Sequence, residues 1–513
     1  MVTPLPLTAL LSAVRSLSAQ GNLSCEVSNI THDSRNVVRG SLFVCISGAS
    51  HDGHKFINDA VANGAAAIIA QADRISAEPL DVPDSVAFVT VKDTRKAFPL
   101  LASKLCGDPS QSMVMVGVTG TNGKTTTMRM TASILRAAGM RVGTIGTLGA
   151  ELDGVPIESN HTTPEADELQ SLLARMRDDG AQAVVMEVSS HALAQHRTDG
   201  IAFNAAIFTN LTQDHLDFHG TIEAYFEAKA LLFTEYPVRY PRSDHRMFVA
   251  SVNVAQWEGR DLVTMVRGDV ITYSADPGMP AVLQARNVEP GATGTRFTVV
   301  HDSGTLRFER EVMLPIGGAF QVNNALGAIG AALRLGIDIE TIVRALNELP
   351  PVPGRFQSVP TGDRGFSVIV DYAHTPDGLL NLLESVAALV PTRIILVFGC
   401  GGDRDTTKRP KMGKIAGDRA DIAIVTSDNP RTEDPNAIIE EVLSGMNGCR
   451  AEVHVQSDRP AAVATAIKLA RAGDVVVIAG KGHEDYQIIG NQKIHMDDCE
   501  LAKNALMASG VTH

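Results

Sequence analysis

The chain has 513 residues, 44% apolar and 20% charged, proportions of ordinary globular protein with material for two to four separate cores. A formal net charge of −13, without a dense Lys/Arg cluster, disfavours nucleic acid or an anionic membrane as the main partner. Six cysteines without CxxC spacing, no basic stretch leading into a long apolar run at the start, and no apolar run able to span a bilayer point to reduced thiols, no zinc site and a cytoplasmic address.

The first segment runs to about residue 109, where Cys106-Gly107-Asp108-Pro109-Ser110 makes a break. Two strand-like runs, Ser41 to Ile46 and Ala65 to Ala70, flank a predicted helix from His54 to Gly64. A second segment follows over 110–350. It opens with the apolar run Met113-Val114-Met115-Val116, a buried strand, which leads into Gly120-Thr121-Asn122-Gly123-Lys124-Thr125-Thr126 and a helix predicted from Thr125 to Ala138. Glycines there let the backbone wrap a phosphate, and the N–H groups and helix N-terminus favour negative charge. Lys124 is placed to reach the outer phosphates, and Thr125 a bound Mg²⁺. The match to the standard P-loop is offset: Val118 stands where its first glycine belongs, and Gly120 follows two places later. The order strand, Gly-Lys-Thr-Thr, helix identifies a site for ATP or a relative.

Further along, Val184 to Val188 and Ala205 to Asn210 are short apolar runs ending in polar residues, the pattern of parallel strands in an α/β sheet. Glu187 closes the first, where a carboxylate commonly holds Mg²⁺ directly or through water, although a solvated strand end reads the same way. His215 follows the second and could face the same site or be structural. Lys229, within Tyr225 to Phe233, reads in isolation as a surface lysine on a helix. The segment's last helices are predicted between Asn323 and Leu349, and Leu349-Pro350-Pro351-Val352-Pro353-Gly354-Arg355 is a stiff boundary. The third segment, 351–513, repeats an apolar strand followed by a polar loop four times: Asp371-Tyr372-Ala373-His374, Gly399 to Arg404, Ser427 to Arg431, and Ala479 to Glu484. Ligands of open α/β sheets bind beyond such strand ends, so the four loops suggest one shared site. Gly399-Cys400-Gly401-Gly402 is not the dinucleotide fingerprint, and no nicotinamide cofactor is inferred.

Read in order, the chain resembles the Mur ligase family from end to end. The motifs that carry this are the Gly120 to Thr126 loop, Glu187-Val188-Ser189-Ser190-His191, Thr209-Asn210-Leu211 with Asp214-His215-Leu216-Asp217, Asn324-Ala325-Leu326, Gly354-Arg355-Phe356 and Asp371-Tyr372-Ala373-His374. Within the family the likeness is greatest to the branch that adds the third peptide residue. Asp33-Ser34-Arg35, Leu42-Phe43-Val44 and Asp52-Gly53-His54 look like its N-terminal domain. The implied fold is α/β in three domains: an N-terminal domain for the UDP substrate, a central P-loop-type parallel-sheet ATPase domain and a C-terminal Rossmann-like domain.

The resemblance implies an ATP-dependent amide ligase of peptidoglycan precursor synthesis. It would add meso-diaminopimelate to UDP-N-acetylmuramoyl-L-alanyl-D-glutamate through an acyl phosphate. Gly120, Thr121, Asn122, Gly123, Lys124, Thr125, Thr126, Asn324, Arg355 and Asp371 match nucleotide-binding positions. Thr125, Glu187 and His215 match metal positions for Mg²⁺, and the lysine matching Lys229 is carbamylated in the family, which makes it an anion able to hold a second metal. Lys124, Glu187, His215 and Lys229 are thus the catalytic set. Gln321 stands where relatives often carry Asn. For the UDP-muramoyl dipeptide the likeness points to Ser34, Thr162, Thr163, Ser189, Gln195 and Arg197, with His161 where close relatives often have Asn. The two threonines read equally as a helix N-cap ahead of Pro164-Glu165. Arg404, Asp428, Asn429, Pro430, Arg431, Gly480 and Glu484 match diaminopimelate-binding positions, since arginines suit its carboxylates and acidic groups its ammonium. The implied partners are these small molecules, with no nucleic acid and no membrane insertion, and a monomer is expected. Folylpolyglutamate synthase shares the ATP chemistry, but the N-terminal segment and the Asp-Asn-Pro-Arg loop count against it.

Overall fold

Three large sheets organise the chain in the computed structural model, which describes residues 3–48, 52–75, 82–159 and 161–509. The first has the strand order Ser16–Gln20, Ala87–Val91, Ala65–Gln71, Ser41–Val44, Asn29–Thr31, parallel except for Ser16–Gln20. The helix expected from His54 to Gly64 is shorter and irregular: a 3₁₀ turn at Gly53–Phe56 precedes an α-helix at Ile57–Ala62. The Asp52 carboxylate accepts from the His54 N–H at 3.1 Å, which tightens the entry into a 3₁₀ turn.

The central sheet has eleven strands among the described residues. Seven run parallel in the order Val142–Gly146, Ala183–Glu187, Val114–Thr119, Ala205–Phe208, Val249–Asn253, Asp269–Ser274, Leu283–Pro290. Met115 points into one core, with Leu173 and Phe233, whereas Val116 and Val118 point into the other, with Ile134 and Leu326. Helices cover both faces, which is why the strand reads as a continuous apolar run rather than an alternating one. The helix after the glycine loop spans Lys124–Ala137 and packs on the helix Gln321–Arg334. Beyond Leu283 the strand–helix alternation expected from sequence gives way to an antiparallel meander, Leu283–Pro290, Thr295–Asp302 and Arg307–Leu314. Its connections, 291–294 and 303–306, are too short for a crossover helix.

The third sheet has the order Gln357–Val359, Ser367–Asp371, Val475–Ala479, Ile394–Phe398, Ile422–Val425, Glu452–Val455. All neighbours are parallel except the Gln357–Val359 edge. The four apolar strands seen in sequence lie side by side at its centre. The two edges escaped notice because Gln357–Val359 has three residues and Glu452–Val455 is mostly exposed.

Candidate active site

The polar ends of the central parallel strands converge on the glycine loop. Gly123 adopts φ 84°, and a Cβ there would lie 2.2 Å from Asn324 Oδ1, so both its backbone and its space require glycine. The next strand's loop holds the turn in shape. Asn210 accepts from the Asn122 N–H at 2.9 Å and donates to the Asn122 carbonyl at 3.1 Å, while Thr209 Oγ1 donates to that carbonyl at 2.6 Å. Thr121 N–H bonds the Asn210 carbonyl at 3.0 Å.

Two lysines meet at one carbonyl. Lys124 Nζ donates to Gly120 O at 3.0 Å and to Thr121 O at 2.8 Å, and Lys229 Nζ donates to Gly120 O at 2.8 Å. Lys229 is 1% exposed, so its reading as a surface residue is corrected: the helix Ile222–Thr234 turns it inward over the Tyr225 ring, 4.4 Å from the centroid. Burial holds its ammonium well below the usual lysine range, and the Lys124 charge adds to that. Burial also lowers Lys124, partly opposed by the Glu187 charge.

Glu187, 1% exposed, is not a solvated strand end. Its carboxylate accepts from Thr125 Oγ1 at 2.8 Å, from Thr147 N–H at 2.9 Å and from Thr147 Oγ1 at 3.1 Å. Thr147 was not singled out in the sequence; it follows the neighbouring strand Val142–Gly146, and only the strand order places it here. Thr163 Oγ1 donates to the Glu187 carbonyl at 2.9 Å, and Thr162 Oγ1 lies 3.2 Å from Thr147 Oγ1. The N-cap reading of these threonines is overturned, because the next helix starts at Ala166 with Glu165 in the cap position and no side-chain cap bond. Ser189 Oγ instead caps the short helix Ser190–Ala194. Arg197 donates to Gln195 Oε1 at 2.7 Å and to Thr163 O at 3.1 Å, and pairs with Glu165 at 2.9 Å. Thr162, Thr163, Ser189, Gln195 and Arg197 therefore cluster around the end of the Glu187 strand. Ser34 stands apart on the first sheet, in a 3₁₀ turn whose carbonyl accepts from Asn63. The first sheet reaches this cluster through Arg95 to Glu165 at 3.0 Å and His32 to Asp167 at 3.1 Å. His161 is exposed.

His215 takes φ 54° at the start of a four-residue turn of helix, and its ring packs edge-on to His191 with 4.7 Å between centroids. Partial burial lowers its pKa below the usual histidine value. A cavity of about 290 Å³ opens beside it, lined by Asp214 and His215 from the central sheet and by Asp377, Asp405, Lys408 and Lys411 from the third. Asn324 donates to Gln321 Oε1 at 2.8 Å and packs against Gly123. Thr126 is buried in the first turn of the helix after the loop. Arg355 crosses from the boundary between the second and third segments: Nη2 lies 3.0 Å from Thr125 Oγ1, and the guanidinium stacks over Tyr372 at 4.6 Å. Asp371 is buried with both oxygens engaged by backbone, Phe356 N–H at 2.7 Å and Ala373 N–H at 2.9 Å. In this arrangement it braces the Gly354-Arg355-Phe356 turn rather than pointing at the glycine loop.

The remaining loops gather at one edge of the third sheet. Arg431, at φ 53°, donates to Gly402 O at 2.7 Å, while Arg404 is exposed beside Asp403. The Pro430 carbonyl accepts from Glu433 N–H at 3.1 Å. Asn429 donates to Glu484 Oε2 at 2.8 Å. Asp428 Oδ1 accepts from Asn429 N–H, but Oδ2 is buried without a partner among the described residues, facing Gly480, where a Cβ would approach it to 2.8 Å. A buried, unanswered carboxylate oxygen calls for a cationic partner. Behind these loops the fully buried Arg459–Asp498 pair, 2.7 Å apart, ties the carbonyls of Ser427 and Ala479 together.

A Clostridium botulinum protein named UDP-N-acetylmuramoyl-L-alanyl-D-glutamate–2,6-diaminopimelate ligase is 43% identical over 483 residues, spanning 94% of this chain and 95% of its own length. The chain belongs to the Mur ligase family. Family models agree: "Mur ligase family, catalytic domain" matches residues 26–104, "Mur ligase middle domain" 118–332, and "Mur ligase, glutamate ligase domain" 354–482. A Gloeobacter violaceus protein with the same name is 45% identical over 482 residues, 94% of each chain. A solved Mur ligase structure of that name superposes with TM-score 0.69 at 32% identity, covering 99% of this chain and 100% of its own. Folylpolyglutamate synthase from Mycobacterium tuberculosis shares the fold at TM-score 0.58 and 19% identity, but covers only 74% of this chain.

Proposed function

We propose that this Mur ligase joins meso-2,6-diaminopimelate to UDP-N-acetylmuramoyl-L-alanyl-D-glutamate at the expense of ATP, in peptidoglycan precursor synthesis. Three units carry the work: 1–109 for the UDP end, 110–350 for ATP and the acyl substrate, and 351–513 for the amine. The names of relatives 43–45% identical over nearly the whole chain support the reaction. The amine is argued most directly from the unpartnered Asp428 Oδ2 on the loop that also carries Arg431.

A carboxylate is a poor acylating agent at neutral pH. Its oxygen attacks the γ-phosphorus of ATP, ADP leaves, and the acyl phosphate is then opened by an amine that loses a proton and expels phosphate. The first step is chiefly positioning and charge neutralisation. The loop N–H groups and Lys124 hold the phosphates, and Arg355 brings a further cation from the hinge. Mg²⁺ would be held by the oxygen donors Thr125 and Glu187, whose side chains meet at 2.8 Å, and by His215; when bound it would neutralise phosphate charge. Lys229 supplies another anion once carbamylated. Carbamylation needs a neutral amine to attack CO₂, and full burial beside Lys124 favours that form. Arg197, Gln195, Thr162, Thr163, Ser189 and Ser34 hold the UDP-muramoyl dipeptide. Arg404 and Arg431 take the distal carboxylate of diaminopimelate, and Asp428 and Glu484 its ammonium.

The test is an amine screen. ADP release and product mass are followed with UDP-muramoyl dipeptide, ATP and, in turn, diaminopimelate, lysine or glutamate. Diaminopimelate should be preferred by a wide margin, because a site built on polar partners rejects analogues lacking them by up to about 10⁴-fold. Equal use of lysine would overturn the amine assignment.

A further inference from the structure

Lys481 is fully buried, yet no substrate-binding role falls on it in the reading above. Its ammonium lies 3.2 Å from Asn429 Oδ1 and 3.1 Å from Glu484 Oε2, and Asn429 Nδ2 closes the triangle to the same Glu484 oxygen at 2.8 Å. Asn429 Oδ1 is also fixed by the Ile488 N–H at 3.0 Å, and the Tyr486 ring lies 5.4 Å from the lysine nitrogen. Asn429 and Glu484 sit on loops that leave different strands, Ile422–Val425 and Val475–Ala479, separated in the sheet by Ile394–Phe398. Lys481 is thus a buried lysine whose two hydrogen bonds among the described residues both go to candidate amine-binding side chains.

A buried ion pair is weak evidence for stability, since an apolar side chain of similar volume often serves as well; its established use is to specify one arrangement. Glu484 Oε2 takes two donors from this triangle, whereas Oε1 has no protein donor among the described residues. We propose that Lys481 is a positioning residue for amine recognition. It locks Asn429 and Glu484 into one unit and so leaves Glu484 Oε1 for the ammonium of the incoming amino acid. This rests on the ligase reading above and adds a residue that acts through Glu484 rather than on substrate.

Steady-state kinetics of wild type, Lys481→Met, Glu484→Gln and the double variant test it, with each of the three substrates varied and lysine as the alternative amine. Lys481→Met should raise the KM for diaminopimelate about tenfold or more, the scale of one charge-assisted contact. The KM for ATP and for UDP-muramoyl dipeptide should stay within about twofold, because Lys481 touches none of the residues proposed for those sites, and the preference for diaminopimelate over lysine should narrow. The double variant should be little worse than Glu484→Gln alone, since the two residues act as one unit. Lys481→Arg, which keeps the charge and donors, should recover part of the diaminopimelate affinity. Parallel rises in all three KM values with a thermal midpoint lowered by more than about 5 °C would show a merely structural lysine and overturn the proposal. Additive losses in the double variant, or an unchanged diaminopimelate KM, would also overturn it. Wild-type protein that forms no tripeptide would instead remove the ligase reading, and this proposal with it.

Discussion

Arg355 Nη2 lies 3.0 Å from Thr125 Oγ1, joining residues 230 positions apart at the point where the third unit meets the glycine loop. Thr125 donates onward to Glu187, and the Arg355 guanidinium stacks on Tyr372 of the third sheet. One side chain therefore links the Gly354-Arg355-Phe356 turn, the hydroxyl proposed to bind metal and the unit proposed to bind the amine. Arg355→Ala should lower kcat/KM for ATP by about tenfold or more, through loss of a charge-assisted contact. Arg355→Lys should recover little, because an ammonium neither stacks flat on Tyr372 nor spans both partners. Full recovery by lysine in a steady-state ATP titration would show that charge alone matters there.

Lys124→Ala should reduce turnover by a hundredfold or more while leaving the fold intact. Its present partners are carbonyls of its own loop, whereas its charge is proposed to act on the transferred phosphoryl group. Circular dichroism checks the fold, and ADP release checks the rate. Retention of more than about a tenth of wild-type rate would remove the phosphate role.

Lys229→Ala should also be inactive, and a short-chain carboxylate in the assay should restore part of the rate by replacing the carbamate anion. Lys229→Arg should not be rescued, since guanidinium stays cationic and fills the space. Mass spectrometry under conditions that preserve carbamates should find the 44-dalton adduct, about the mass of one CO₂, on active wild type. An unmodified amine in fully active enzyme would end this assignment.

The contrast between Lys124 and Lys229 shows what the sequence carries. Lys124 was legible because strand, glycines and helix surround it in order, and local geometry alone aims it. Lys229 was legible only through the family resemblance, since a lysine on a helix is ordinarily solvated and nothing local reveals that Tyr225 and the Gly120 carbonyl enclose it. The cap reading of Thr163 failed for a related reason: a threonine before Pro-Glu is a good cap in isolation, but here its hydroxyl donates to the Glu187 carbonyl and accepts from the Ser189 N–H. The four polar loops of the third segment were readable because parallel strands force their ends to one edge. Lys481 and the Arg459–Asp498 pair were not, because their role depends on which strands are neighbours. The antiparallel meander from Leu283 to Leu314 lacked the long apolar runs that marked the buried strands.

Asp498→Ala should destabilise the third unit by about 3–5 kcal/mol, because it strands the Arg459 guanidinium in a fully buried site. Replacing both residues by apolar ones of similar volume should recover much of that loss. The double variant should still weaken amine binding, since the carbonyls of Ser427 and Ala479 lose their shared donor. Urea unfolding gives the stabilities, and diaminopimelate titration gives the second effect. A single variant as stable as wild type would show that water reaches Arg459.

Arg431 supplies the sharpest test of amine choice. Lysine lacks the distal carboxylate, so discrimination against it should come from leaving Arg431 and Arg404 without their anion. Arg431 is already anchored to Gly402 O at 2.7 Å and backed by the Ile488 carbonyl at 3.0 Å from its N–H, so its guanidinium is held in place before the amine arrives. Arg431→Ala removes a charge-assisted contact worth roughly 1.5–3 kcal/mol. Diaminopimelate should then lose on the order of ten- to a hundredfold in kcat/KM. Lysine should lose much less, so the preference narrows without necessarily inverting. Binding of ATP and of UDP-muramoyl dipeptide should hardly change, because Arg431 donates to Gly402 O and not to the residues proposed for those sites. Equal losses for the two amines would mean that Arg431 does not read the distal carboxylate, and Arg404, exposed on the neighbouring loop, would be left as the side chain to test for that role.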